Sequence, residues 1–351
     1  RVIQQAINQV LELMFDPGFS ESSFGFRRRR SAHGAVRQVK VYAQQGFMWA
    51  VDMDLEKFFD RVQHDVLMHR VARRVGDPRV LKLIGRYLRA GVSVGDYVLP
   101  TAEGTPQGGP LSPLLANVLL DDLDKELEKR GLHFSRYADD FLILVRSERA
   151  AHRVKLSITK WLQRKLRLRV NESKSQVAKV WKCTFLGFRY VRRKLWLAPK
   201  SLARFKTRVR EITGRSRGIS MKARMTELNR YLRGWINYFG LIDISNLFTD
   251  IDAWIRRRLR MCYWKQWKRA KTRIRKLLAK GVPRDLAVRH GSSSKGPWRM
   301  SQTIAVDMAL DLKWFENAGL VNLKHQWARL APRRRIALYG PVRRVVWGAG
   351  E

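Results

Sequence analysis

The chain has 351 residues, enough for two or three domains, and its 45% of hydrophobic residues is typical of a globular protein. Lys and Arg number 71 against 30 Asp and Glu, which gives a formal net charge of +41 at pH 7. This excess excludes an ordinary enzyme of small metabolites. It predicts a polyanionic partner, with nucleic acid favoured over an acidic membrane surface.

The sequence has no feature of a membrane or secreted protein. No apolar run approaches the roughly 20 residues that span a bilayer, and no secretory signal opens the chain. The two cysteines, Cys183 and Cys262, form neither a disulfide framework nor a metal-ligand spacing, which is typical of a reducing compartment. We therefore expect no membrane partner. A first residue other than Met is consistent with a fragment of a longer chain.

The first elements are a helix, a turn and a run of charge. Apolar residues from Val2 to Met14 recur at helical spacing, and the run ends at Asp16-Pro17-Gly18. The four arginines Arg27 to Arg30 follow a Gly-containing turn and precede a helix expected near Ser31. A charge run is usually a solvated face, but guanidinium groups on such a bend can bind phosphate in bidentate fashion. We favour the phosphate role.

A strand with two carboxylates follows. Residues 47–55 alternate as a strand does, so Asp52 and Asp54 lie on one face. A strand that carries a carboxylate, far in sequence from other acidic residues, is what a metal site built across a sheet requires. Spacing alone does not choose between the two carboxylates, although we expect Asp52 to be a solvated residue at the end of the strand.

Two short helices, at 64–76 and 78–91, and a short hairpin at 92–100 lead to a glycine- and proline-rich loop. Gly104 to Pro113 contains three glycines and three prolines, so its backbone can approach a ligand closely. Ser112 is a suitable N-cap and Pro113 a suitable first residue for a helix that runs to about Lys129. By itself such a loop is weak support for a binding site.

Asp139 and Asp140 are the most informative pair of residues. They lie between an aromatic run that begins at Phe134 and the apolar run Phe141 to Val145, which predicts a hairpin with the acidic pair at its bend. Two carboxylates in a partly buried bend repel each other, and a divalent cation such as Mg²⁺ relieves that repulsion. An isolated Asp pair is more often a polar turn; the other motifs of the chain favour the metal.

The second half becomes helical and strongly basic. A helix is expected at 147–166, a turn at 171–175 and a hairpin at 185–197, with helices beginning at Pro199. Residues 254–280 contain no acidic residue, and aromatic side chains interleave the charges. We expect this stretch to bind nucleic acid phosphates while its Trp side chains lie mostly in the core. The candidate phosphate-binding cations are Arg256, Arg257, Lys265, Lys268 and Arg269. The tail, with Arg333 to Arg335 and Arg343-Arg344, is basic and expected to be partly ordered at best.

Taken together, these stretches resemble the motifs of reverse transcriptases encoded by group II introns. Tyr137 to Asp140, YADD, resembles the YxDD motif in the form typical of the bacterial proteins, and DLEKFFD from Asp54 resembles the first catalytic motif. The other matches are the template- and nucleotide-contacting motif at Gly104 to Leu120, the NxxKT element at Asn171 to Ser175, the primer grip at Phe185 to Phe188, the fingers element SFGFRPGRS at Ser23 to Ser31, and the maturase-specific region at Leu228 to Phe239. The order of so many motifs makes the resemblance specific.

The resemblance implies an α+β fold with the right-hand architecture of polymerases. Fingers and palm, with an antiparallel sheet, would occupy residues 1–198. A helical thumb, or maturase-specific domain, would occupy 199–290. A basic nucleic-acid-binding segment would occupy 291–351.

The resemblance also implies the roles of individual residues. The family's steric-gate aromatic lies five positions after the catalytic Asp, so Phe59 selects Asp54 over Asp52. Asp54 and Asp139 would bridge two Mg²⁺ ions, for which Mn²⁺ can substitute, with Asp140 as support. The backbone carbonyl of Leu55 would be an additional ligand.

The resemblance also implies which residues contact the nucleotide. Lys174 would donate a proton to the leaving pyrophosphate, and Phe59 would exclude a 2′-OH. Gln107 and Gly108 would lie along the template strand and the incoming nucleotide. Arg27 and Arg30 would contact phosphate, although Arg28-Arg29 replaces the family's usual Pro-Gly.

The function implied is RNA-directed DNA synthesis by a group II intron protein. Its partners would be intron RNA, a DNA primer or target and dNTPs, and it would promote splicing and mobility in the bacterial cytoplasm, in association with the nucleoid. The sequence has no Cys/His zinc cluster and no endonuclease signature, as in the class C proteins that lack an endonuclease. The alternatives are a reverse transcriptase recruited for phage defence or DNA repair, an RNA-binding maturase without polymerase activity, and a generic basic RNA chaperone.

Overall fold

A computed structural model describes residues 1–90, 92–94, 97–99, 103–105 and 108–336. The chain divides into two compact units, unit 1 at Arg1–Leu195 and unit 2 at Trp196–Glu351. Unit 1 combines helices with antiparallel sheet, and the described part of unit 2 is helical after the strand that contains the boundary. The predicted α+β class is confirmed.

Unit 1 contains the elements expected from the sequence and one additional strand. Its helices are α1 (Val2–Phe15), α2 (Ala32–Gln44), α3 (His64–Ala72), α4 (Pro78–Arg89), α5 (Ser112–Lys129) and α6 (Glu148–Leu166). Its strands are β1 (Trp49–Met53), β2 (Val92–Val94), β3 (Tyr97–Leu99), β4 (His133–Tyr137), β5 (Asp140–Val145), β6 (Gln176–Lys179), β7 (Phe188–Val191) and β8 (Lys194–Leu197). Single 3₁₀ turns occupy Asp16–Gly18 and Phe58–Asp60.

The main sheet has the order β4-β5-β1-β6, and each neighbouring pair is antiparallel. In the register of β1 against β5, Asp52 lies opposite Leu142 and Met53 lies opposite Phe141. Asp54 therefore leaves β1 beside the first residue of β5, Asp140. The edge strand β6 was not predicted, because four residues with half-exposed polar and apolar side chains give no clear alternation.

Burial of apolar side chains holds this sheet against the helices. Phe141 and Ile143 of β5 are fully buried, as are Leu119 and Leu123 of α5. Leu111 occupies the N-cap position of α5, so the helix begins at Ser112 and the predicted N-cap was one residue too late. The sheet thus rests on a helix that is buried along most of its length.

Unit 2 is a helical assembly with an aromatic centre. Its described helices are α7 (Pro199–Ile212), α8 (Met221–Phe239), α9 (Asn246–Gln266), α10 (Ala270–Leu278), α11 (Arg284–Gly291), α12 (Pro297–Met300), α13 (Ile304–Ala309), α14 (Leu312–Asn317) and α15 (Leu323–Ile336). Phe205 of α7 stacks on Tyr231 of α8 and packs at a tilt against Trp235 of α8, which meets Phe248 of α9 edge-on.

The described part of the C-terminal segment is tied to α9. Asp252 on α9 accepts hydrogen bonds at 3.0 Å from the backbone nitrogens of Leu323 and Lys324, and so fixes the start of α15. Arg333 to Arg335 lie within α15, and the tail after Ile336 lies outside the described residues.

The cysteines and the helices were expected to show no disulfide and no membrane-spanning segment. Cys183 and Cys262 are both free thiols buried in the core. Among the described helices, none is both long enough and apolar enough to cross a bilayer.

Candidate active site

The structure brings the three predicted carboxylates to one end of the main sheet. Asp139 occupies the turn between β4 and β5, where Ala138 has a φ of +61°. The charge of Asp54, which follows β1, acts on both Asp139 and Asp140. Two distant strands thus supply acidic groups that interact with one another.

Electrostatic crowding is strongest at Asp140. Burial, followed by the charges of Asp52, Asp139 and Asp54, raises the pKa of Asp140 to about 7. Burial and the charge of Asp54 also raise the pKa of Asp139. A divalent cation relieves such repulsion, and carboxylate oxygens are the donors that Mg²⁺ prefers.

The carboxylates of Asp54, Asp139 and Asp140 do not converge on a single point as metal ligands do. Within the described residues, no three His, Cys, Asp or Glu side chains converge tightly enough to hold an ion. The chemistry of the donors and their mutual repulsion fit a divalent cation. Ligation by all three carboxylates would require their side chains to rotate toward one another.

Asp52 differs from its prediction as a solvated residue at the end of the strand. It lies within β1, Gln176 of β6 donates a hydrogen bond to its Oδ2 at 3.1 Å, and burial raises its pKa. The charge of Asp54 acts on Asp52, and the charge of Asp52 acts on Asp140. The spacing of two residues puts Asp52 on the same face as Asp54, but that spacing does not encode the hydrogen bond from Gln176.

The turn after α6 is fastened to Asp54. The backbone nitrogen of Asp54 donates to Ser175 Oγ at 3.0 Å, and its carbonyl accepts from the backbone nitrogen of Asn171 at 2.8 Å. Lys174 in the same turn places its Nζ 3.7 Å from Asp54 Oδ2. Leu55 is buried and forms an isolated bridge with Val170. The turn thus places the Lys174 ammonium group beside the Asp54 carboxylate.

Phe59 and the start of the glycine-rich loop are in backbone contact. The backbone nitrogen of Thr105 donates to the Phe59 carbonyl at 2.6 Å, and that of Gly104 donates to the Val62 carbonyl at 2.7 Å. The half-buried Phe59 ring packs edge-on against Phe58. The loop is therefore anchored to the turn that presents Phe59.

Only part of the predicted nucleotide-contacting loop is described. Gly108 has a φ of +83°, a conformation that glycine adopts without strain. Gln107 lies outside the described residues.

The structure contradicts the phosphate role predicted for Arg27. Its side chain is 5% exposed, pairs with Asp16 at 2.6 Å, and donates to the carbonyls of Ser20, Ser23 and Asp16. These donors hold the turn together and are not presented to a ligand. Motif comparison could not reveal this, because the arginine run gives no sign of which side chain turns inward.

Arg30 is more accessible than Arg27. Its guanidinium pairs with Glu21 and lies 5.6 Å from the Phe24 ring centroid, with 24% of the side chain exposed. Contact with a phosphate would require it to leave Glu21.

The basic stretch of unit 2 divides into exposed and covered cations. Lys265, Lys268 and Arg269 are exposed. Arg256 is half-buried, and Arg257 lies 3.7 Å from the centroid of the Trp298 ring. Trp264 and Trp267 are buried. The predicted arrangement, with Trp residues mostly in the core and cations outside, holds for these two Trp residues and the three exposed cations.

Comparison with known proteins assigns both units. Residues 1–190, more than half of the chain, match the family described as reverse transcriptase (RNA-dependent DNA polymerase). Residues 202–280 match the group II intron maturase-specific domain.

Individual relatives agree with these matches. Protein YkfC of Escherichia coli is 30% identical over 234 residues, covering 55% of this chain and 61% of YkfC. Group II intron-encoded protein LtrA of Lactococcus lactis is 37% identical over 136 residues, covering 39% of this chain and 22% of LtrA. The chain thus spans less than two thirds of these relatives.

Among solved structures, telomerase from Candida tropicalis in complex with a telomeric RNA fragment matches with a TM-score of 0.46 at 14% identity, covering 92% of this chain and 56% of that chain. The two family matches decide the assignment, since they cover nearly all of unit 1 and about half of unit 2 and follow each other in order along the chain. The chain belongs to the reverse transcriptase family, in the group whose members join the polymerase domain to a group II intron maturase-specific domain.

Proposed function

We propose that the chain is the RNA-directed DNA polymerase of a group II intron, which copies intron RNA into DNA and assists intron splicing and mobility. The observation that carries the proposal is the register of β1 against β5, which leads Asp54 out of its strand beside Asp140. A metal-dependent polymerase needs carboxylates from separate strands at one place, and family membership supplies the reaction class.

The reaction is phosphoryl transfer. The primer 3′-OH attacks the α-phosphorus of a dNTP, and pyrophosphate leaves. Asp54, Asp139 and Asp140, with the Leu55 carbonyl, would hold two Mg²⁺ ions or Mn²⁺ in their place. When bound, such ions stabilise the charge on the attacking and leaving oxygens.

Other side chains would act on the substrates directly. Lys174, held beside Asp54, would donate a proton to the departing pyrophosphate. Phe59 would press on the sugar and exclude a 2′-OH, and Gln107 and Gly108 would line the template and nucleotide. Arg30 would bind phosphate after release from Glu21.

Residues 1–198 would then be fingers and palm, 199–290 the thumb or maturase-specific domain, and 291–351 a basic segment that binds nucleic acid. The exposed cations Lys265, Lys268 and Arg269 would hold intron RNA and the template–primer duplex through phosphates, mostly without recognising sequence. We place this activity in the bacterial cytoplasm, close to the nucleoid.

Primer extension on poly(rA)/oligo(dT) tests the polymerase directly. Asp139→Asn should abolish synthesis, because it removes a charge from the acidic cluster while keeping the size of the side chain. Asp65→Asn is the matched control, since Asp65 is exposed on α3 and pairs only at the surface with Arg167. Undiminished synthesis by Asp139→Asn would remove Asp139 from the metal site. Wild-type protein that binds intron RNA but synthesises no DNA would favour the maturase-only alternative.

A further inference from the structure

Arg136 is a fully enclosed charged residue near the active site. It lies on β4, three residues before Asp139, and its side chain is 0% exposed. Nε donates to Asp124 Oδ1 at 2.7 Å and Nη2 donates to Asp124 Oδ2. Nη2 also donates to Ser23 Oγ at 2.8 Å, and Nη1 donates to Asn117 Oδ1 at 3.0 Å and to the Ala138 carbonyl at 2.9 Å. All five N–H donors of the guanidinium are therefore used.

These five bonds connect three separate parts of unit 1. Asp124 and Asn117 belong to α5, and Ser23 belongs to the turn before α2. Asn117 also donates to the Gly25 carbonyl at 2.8 Å, so this turn is held from two sides. The third part is the bend that carries the acidic pair, reached through Ala138.

The bond to Ala138 bears directly on Asp139. Ala138 has a φ of +61°, a left-handed conformation that costs a residue with a Cβ on the order of 1 kcal/mol. Its carbonyl belongs to the peptide that joins Ala138 to Asp139. A donor held rigidly at that carbonyl therefore fixes the peptide plane from which the Asp139 side chain projects.

We propose that Arg136 is a positioning residue of the active site: by holding the Ala138–Asp139 peptide it sets the direction of the Asp139 carboxylate. The inference rests on the proposed function, because direction matters only where Asp139 binds metal. Arginine is required because a lysine has three donors and cannot reproduce the five bonds. Asp124 keeps the guanidinium in place, and its charge compensates that of the arginine in a buried site.

The test is Arg136→Lys, which retains a cation beside Asp124. We expect the Mg²⁺ concentration for half-maximal primer extension to rise about tenfold or more, as for other side chains that orient metal ligands. Binding of template–primer measured in EDTA should be unchanged, since the exposed cations of unit 2 are intact. The matched control is Ser23→Ala, which removes one bond of the same guanidinium but leaves the Ala138 carbonyl engaged.

Two results would overturn the inference. One is an Arg136→Lys protein with a lower melting temperature but an unchanged Mg²⁺ requirement, which would make the network purely structural. The other is an equal shift in Ser23→Ala, which would assign the effect to the network as a whole. If Arg136→Lys does not fold, Arg136→Met with Asp124→Leu replaces the buried pair by apolar side chains, and the same rise in Mg²⁺ requirement is expected.

The proposed function fails separately. If Asp139→Asn keeps full synthesis in this assay, the metal-site assignment is lost. If Asp139→Asn is inactive and neither Arg136 variant changes the Mg²⁺ requirement, only the positioning role of Arg136 is lost.

Discussion

Gly25 and Ala138 are in such close backbone contact that a Cβ built on Gly25 would lie 2.3 Å from the Ala138 nitrogen. The contact joins the turn before α2 to the bend that carries Asp139. Two backbone hydrogen bonds join the same two segments. The Phe24 nitrogen donates to the Arg136 carbonyl at 2.8 Å, and the Arg136 nitrogen donates to the Ser22 carbonyl at 2.9 Å. The position of the acidic bend thus depends on a glycine that is far away in sequence.

Gly25→Ala should therefore impair catalysis through a backbone displacement. The added methyl cannot be accommodated by a flexible side chain, because the atoms it meets are backbone. We expect primer extension to fall by at least about tenfold, an effect on the barrier of about 1.4 kcal/mol, together with a lower melting temperature. Gly76→Ala is the control, since a Cβ there has no described atom within 4 Å. Wild-type activity in Gly25→Ala would show that the bend tolerates the shift.

Gly104 makes a comparable contact with the turn that presents Phe59. Its φ is +96°, and a Cβ would lie 3.0 Å from the carbonyl oxygens of Phe59 and Asp60. Gly104→Ala should move the loop away from Phe59 and lower the preference for dNTPs over rNTPs. Gly131→Ala is the control. Gly131 has a φ of +64° and no described atom within 4 Å of an added Cβ, so this variant introduces backbone strain without a steric clash. Both variants should lose about 1 kcal/mol of stability or more, because a residue with a Cβ is strained at positive φ, and only Gly104→Ala should change nucleotide choice.

Phe59→Ala tests the sugar gate itself. Removal of the ring should open space for a 2′-OH, so incorporation of rNTPs should increase relative to dNTPs. Phe58→Leu is the control, because Phe58 is buried in the core beside Phe59 and its loss should lower stability without affecting the sugar. Single-nucleotide extension with dNTP and rNTP measures the ratio. An unchanged ratio in Phe59→Ala would exclude this residue as the gate.

Much of this site could be predicted from the sequence, because its residues come from short motifs with their own local structure. Asp139-Asp140 lies between two strand-like runs, and Asp54 follows a strand, so their placement needed only the pairing of β1 with β5. Arg27 and Asp52 could not be predicted correctly. Whether one arginine of four turns inward, or a strand carboxylate accepts a hydrogen bond from Gln176, depends on contacts between segments that local patterns do not encode.

The role of Arg136 could not be predicted from the sequence for a similar reason. It stands inside the most informative motif, but its partners Ser23, Asn117 and Asp124 are between 12 and 113 residues away in sequence. A charged residue in a strand is read as exposed unless its partner is known. Tertiary structure alone showed that Arg136 and Asp124 are both buried.

Asp140→Asn should stabilise the metal-free protein. The folded-state pKa of Asp140, about 7, lies above its ordinary value of 3.8. The folded state therefore binds this proton more tightly than the unfolded state, and its stability falls as pH rises from about 4 to about 7. In EDTA, Asp140→Asn should melt at a higher temperature than wild type above pH 7, and the difference should vanish toward pH 4.

The same pair of proteins tests metal binding without a catalytic readout. At pH 8, Mg²⁺ should raise the melting temperature of the wild type, because a ligand that binds the folded state stabilises it. Asp140→Asn should show a smaller rise. Asp65→Asn, in which a surface carboxylate is changed, should respond as the wild type does. Equal Mg²⁺ shifts in all three proteins would place the ion elsewhere.

The exposed cations of unit 2 predict a salt dependence that can be assigned to individual residues. Each lysine or arginine that neutralises a phosphate contributes about one to the slope of log affinity against log salt concentration. Replacement of Lys265, Lys268 and Arg269 by Ala should therefore reduce the slope by up to about 3 and weaken binding equally for unrelated sequences. Filter binding of a template–primer duplex at several salt concentrations measures both quantities.

Arg208 and Arg217 provide the control for this experiment. Both are cations of unit 2, but Arg208 pairs with Glu211 and Glu227, and Arg217 pairs with Glu227. Their charges are neutralised within the protein, so replacing both by Ala should leave the slope near that of the wild type. An unchanged slope in the triple variant, or an equal decrease in the control, would show that Lys265, Lys268 and Arg269 do not form the phosphate-binding surface.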